Sequence, residues 1–81
     1  MGNLYKIAML EKFRSKACCE WTQYQARNIW MELRNHLTKQ QQLDIADAWH
    51  HSRMDSDKTR KSLHETVNDV INEIRRREGL Q

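Results

Sequence analysis

The sequence predicts an all-α fold: a small helical bundle of three to four helices with a long C-terminal helix, organised as one domain over residues 1–81. Three observations carry this prediction. Proline is absent and the two glycines, Gly2 and Gly79, stand at the ends, so no strong helix breaker falls between Asn3 and Glu78. Leu, Ala, Lys, Arg, Glu, Gln and Met, the residues that lose little in a helix, dominate the composition. Apolar positions return every third or fourth residue, and no segment alternates apolar with polar as a half-buried strand does.

The first helix is read over residues 4–17, where Leu4, Ile7, Leu10 and Phe13 recur at every third position with Ala8 and Ala17 nearby. That spacing gives a stripe that drifts round the helix rather than running straight along it. Cys18-Cys19 marks a join or kink. The second helix is read over residues 20–36, with Ala26, Ile29, Trp30, Leu33 and Leu37 as its inner face. Trp21, Tyr24 and Met31 fall outside that face, so this helix is apolar on more than one side. A helix of that kind is either central in its domain or has a second face for a partner.

Thr38-Lys39-Gln40-Gln41 reads as a capping box, in which the Thr hydroxyl accepts from a free backbone N–H and the Gln side chain reaches back to the cap. It opens a third helix over residues 39–53, with Leu43, Ile45, Ala46 and Trp49 expected inward. Asp55, Ser56 or Asp57 is expected to cap a fourth helix over residues 57–78, whose stripe is Leu63, Val67, Val70, Ile71 and Ile74. Arg75, Arg76 and Arg77 suit the negative end of its dipole, and Gly79 suits its termination.

Composition narrows the function. A chain of 81 residues buries only about 60% of the surface it exposes when unfolded, so a thin core is expected, supplemented by self-association or a partner. The longest strictly apolar run, Ile7 to Leu10, is far below the roughly 20 residues of a membrane span. The N-terminus lacks the apolar stretch of a secretory signal, and two adjacent cysteines make no disulfide framework, so a reducing cytoplasm is the expected location.

No catalytic constellation is read. Glycosidase or general acid/base chemistry needs paired carboxylates in a pocket, whereas the acids here are read on solvated helix faces, as in the Glu73 and Arg77 i,i+4 pair. His36, His50, His51 and His64 with Cys18 and Cys19 hold neither C-x-x-C nor H-x-x-x-H spacing, so neither a metal nor a cofactor is expected. Nothing in the sequence marks either thiol as an activated nucleophile.

Two binding readings remain. In the first, a small regulatory or accessory protein binds another protein stoichiometrically. It does so through Trp21, Tyr24 and Met31, or through Leu63, Val67, Val70 and Ile74, whose 4, 3, 4 spacing is that of a coiled-coil seam and would also serve a homodimer. The commoner use of such a seam is against the chain's own helices. The alternative is DNA or RNA binding. Lys6, Lys12, Arg14 and Lys16 stand against Glu11 alone in the first helix, which thereby carries the whole formal net charge of +3. Lys58, Arg60 and Lys61 would then lie near bases in a helix-turn-helix-like Gln42 to Val67 segment. Against that motif, His50 stands where a turn glycine is common, and the linker exceeds a 3–4-residue turn.

Overall fold

In the computed structural model, which describes residues 3–54 and 62–79, the chain is all-α, and no strand occurs among the described residues. The helices are α1 (Asn3–Ala17), α2 (Gln23–Leu33), α3 (Lys39–Met54) and α4 (Leu63–Glu78), with 3-10 turns at Glu20–Thr22 and Arg34–His36 bracketing α2. The stretch read as one helix over 20–36 is therefore an α-helix tightened at both ends. The helix α1 is the hub: it packs most extensively on α2 and also on α4, which in turn packs on α3.

The core is formed by Ile7, Leu10, Phe13 and Ala17 of α1, Ala26 and Leu33 of α2, Leu37, Ile45 of α3, and Leu63, Val67, Val70, Ile71 and Ile74 of α4. Three rings bind three helices together at its edge. The Phe13 ring lies 5.3 Å from Trp30 and stands edge-on to Trp49 at 5.0 Å, and the two indoles are 6.3 Å apart. Such tilted and edge-to-face contacts are the ones that aromatic quadrupoles favour. No buried side-chain nitrogen or oxygen among the described residues lacks a partner.

The capping box at Thr38 forms in full: the Gln41 N–H donates to the Thr38 hydroxyl at 3.1 Å and the Thr38 N–H donates to Gln41 Oε1 at 3.0 Å. It also corrects the inner face of α3. Gln41, engaged in the cap, is buried; Ile45 follows it inward, and Ala48 and Trp49 pack against the core from the edge. At 100° per residue, Leu43 then points roughly 160° away from Ile45 and Ala46 about 100° away. Both are exposed, Leu43 by 57%. The drift of α1 has a similar outcome. Each three-residue step turns back by about 60°, so Leu4 lies roughly 120° from Leu10 and is exposed, as is Ala8.

The helix α4 opens later than its expected start at residue 57. Ser62, in extended backbone, accepts from the Glu65 N–H at 3.1 Å and caps the helix at Leu63. Asp55, Ser56 and Asp57, the expected caps, lie outside the described residues. The C-terminus is as read: Gly79 adopts φ 70°, a left-handed conformation that suits glycine, and its N–H returns to the Arg75 and Arg76 carbonyls.

Candidate functional site

The outer face of α2 is where the structure leaves large side chains uncovered. Ala26 and Leu33 are buried and Ile29 and Trp30 half-buried, which fixes the inner side of the helix. Tyr24, Asn28 and Met31, spaced i, i+4, i+7, therefore share the opposite side. Tyr24 is 76% exposed and Met31 60%. Trp21, in the 3-10 turn before α2, is 90% exposed. It precedes the stripe, three residues before Tyr24, at the entry to the helix. Arg27 and Arg34 run along one edge of this stripe and Gln25 and Glu32 along the other, all of them exposed. Glu32 reaches His36 at 3.6 Å, and Tyr5 of α1 stands edge-on to the same imidazole at 5.7 Å.

The base of the stripe is anchored by polar contacts. The Gln23 amide nitrogen donates to the carbonyls of Ala17 at 2.6 Å and Cys19 at 3.0 Å, and the Thr22 hydroxyl donates to the Lys16 carbonyl at 2.6 Å. These side chains satisfy the last carbonyls of α1, so the chain turns from α1 into α2 without a glycine. Trp21 is thereby held at a fixed corner and left in water.

The second expected face is placed differently. Leu63, Val67, Val70 and Ile74 are all buried in the domain's own core, so the seam of α4 is covered by the chain itself. The basic residues of α1 share no face. Lys6 and Arg14 lie within about 40° of the buried Leu10 on either side, while Lys12 and Lys16 point away from it. Lys6, Arg14 and Lys16 are half-buried, and the Arg14 guanidinium donates to Asn68 Oδ1 of α4. Lys58, Arg60 and Lys61 lie outside the described residues.

The two thiols differ. Both are exposed, but Cys18 lines a cleft of about 680 Å³ with Ala17, Glu20, Gln23, Leu63 and His64. Its partial burial pushes the thiol up, against the opposing pull of Arg14. Cys19 is held below the usual thiol range, first by a hydrogen bond from the Trp21 backbone N–H and then by one from the Thr22 hydroxyl.

One grouping escaped the sequence reading. Asp44 and Asp47 of α3 and Asp69 and Glu73 of α4 line a cleft of about 410 Å³ together with His51, which pairs with Asp47 at 3.2 Å. The i,i+3 and i,i+4 spacings show which acids share a side of each helix, but only the rotation of α3 against α4 turns those sides towards each other. Among the described residues, no group of three His, Cys, Asp or Glu side chains is arranged to hold a metal ion. No helix among these residues is long and apolar enough to cross a membrane. The chain matches no protein family, and no curated protein or solved structure matches it significantly, so the reading of its function rests on its own surfaces.

Proposed function

We propose that this chain acts by stoichiometric binding, as a small accessory or regulatory protein that docks another protein through the outer face of α2. The supporting observation is the stripe itself: Tyr24 and Met31 lie exposed along one side of a helix whose other side is core, with Trp21 exposed in the turn that leads into it. Full burial of each such side chain is worth about 1.5–3 kcal/mol. A domain with so thin a core forgoes that stabilisation in leaving them in water. Contiguous apolar surface with a polar rim is the usual mark of a protein contact, and exposed Trp and Tyr are frequent anchors within it.

Photo-crosslinking tests the reading. A photoreactive residue at Asn28 should trap a discrete protein species in cells, the same residue at Leu43 should not, and W21A/Y24A should abolish the trap. Equal trapping at both positions would remove the reading. Nucleic-acid binding through Lys6, Lys12, Arg14 and Lys16 is the competing proposal. Its support is the concentration of net charge in α1. It requires an affinity for random DNA that falls steeply with salt and is indifferent to W21A/Y24A.

A further inference from the structure

The stripe on α2 has the heptad register of a two-stranded coiled coil. Within α2, Asn28 takes position a, and Tyr24 and Met31 take position d, while Trp21 precedes them in the 3-10 turn at the entry to the helix. The flanking positions then follow. Arg27 and Arg34 occupy g, and Gln25 and Glu32 occupy e. We infer that the occupant of this face is a second copy of the same chain, with the two α2 helices side by side and parallel. This inference rests on the stripe being a protein-binding face and names what binds there.

The charges favour this occupant and this direction. In a parallel pair each g position faces the e position five residues on in the other helix. Arg27 then meets Glu32 of the second copy, and symmetry repeats the contact, giving two ion pairs across the seam. In an antiparallel pair g faces g, which would gather Arg27 and Arg34 of both copies on one side with no acid between them. Neither arginine makes an ion pair within its own chain among the described residues. Among the described residues Glu32 pairs with His36 alone, at 3.6 Å, and it is exposed enough to accept a second cation.

The centre of the seam agrees with this arrangement. Asn28 stands at position a between Tyr24 and Met31, and in a parallel pair it meets its own symmetry copy, amide to amide. A lone Asn at a costs stability and fixes register and strand number, because any slip buries an unpaired amide. The 11 residues of α2 hold about one and a half heptads, a seam short of the roughly 1,200–2,000 Å² that a standard interface buries. The pairing therefore belongs to the weak, reversible class, formed at high local concentration.

Sedimentation velocity from micromolar to millimolar concentration tests this, with circular dichroism confirming that each variant keeps its helices. The wild-type chain should show a monomer–dimer equilibrium that W21A/Y24A abolishes. R27E and E32R should each weaken self-association about tenfold, since each replaces two attractions with two repulsions. An equimolar mixture of R27E and E32R should recover wild-type association as a heterodimer, because each unlike pair again joins Arg to Glu. A wild-type monomer at millimolar concentration would overturn the inference, as would an R27E variant that associates more tightly than wild type. The wider reading fails on a different result, the equal crosslinking at Asn28 and Leu43 described above.

Discussion

The indole N–H of Trp49 donates to Gln23 Oε1 at 2.8 Å, tying α3 to the first turn of α2. The amide nitrogen of the same Gln23 donates to the Ala17 carbonyl at 2.6 Å, so one side chain joins three helices. Leucine at this position keeps much of the volume and removes every hydrogen bond. Q23L should cost about 1–3 kcal/mol, because a partly buried indole N–H and a helix-terminal carbonyl lose their partner. Urea denaturation reads this directly, and a variant as stable as wild type would contradict it.

Phe13 is fully buried against both Trp30 and Trp49. F13A should therefore cost about 3–5 kcal/mol, a cavity cost that consumes most of the stability of a small domain. The more conservative F13L should remain folded, with a midpoint in urea between those of wild type and F13A. Equal midpoints for all three would show that the ring cluster contributes nothing.

Trp21 gives the opposite expectation. W21A and Y24A should each change stability by less than about 0.5 kcal/mol, as substitutions on open surface do. The emission of the monomer should also divide by exposure. W21F should remove the part that acrylamide quenches readily and leave the shielded emission of Trp30 and Trp49. A blue shift of accessible emission towards the buried class at millimolar concentration would report the face being covered.

The adjacent thiols should react in a fixed order. Cys19 is lowered by its hydrogen bonds, so its thiolate is populated at lower pH; Cys18 is raised by burial, so its thiolate appears later. C18S, which retains Cys19, should label with iodoacetamide faster at neutral pH than C19S, and its pH–rate curve should rise earlier. The reverse order would show that the hydrogen bonds to Cys19 do not persist in solution.

Where a helix begins or ends through its own sequence, that boundary was legible. Thr38 with Gln41 and Gly79 after the three arginines are local chemistry, and both form as read. The inner face of α2 was equally clear, since Ala26, Ile29, Trp30 and Leu33 leave little choice of rotation. The inner face of α3 was not. Its capping Gln41 is a polar residue that can be buried because the cap already satisfies it, and hydropathy alone favours Leu43 for that place. The onset of α4 is masked in the sequence because Asp55 to Asp57 resembles a cap, although Ser62 with Glu65 has the S-x-x-E spacing of a capping box. As for the candidate site, the excess of apolar residues on α2 was visible, and their exposure followed once α1 was placed on its other side. The acidic cleft between α3 and α4 depends on how two helices rotate against each other, which neither helix encodes alone.

The position of α1 between α2 and α4 also bears on how the chain folds as it is synthesised. The α1–α2 hairpin can close as soon as residue 33 is available, whereas α4, which covers the rest of the apolar side of α1, begins at residue 63. At roughly 5–20 residues per second, the ribosome leaves that side uncovered for a few seconds. Until α4 arrives, the nascent chain therefore presents apolar surface to its surroundings. Slow codons placed between α3 and α4 would lengthen that interval, and aggregation of the nascent chain would rise with it.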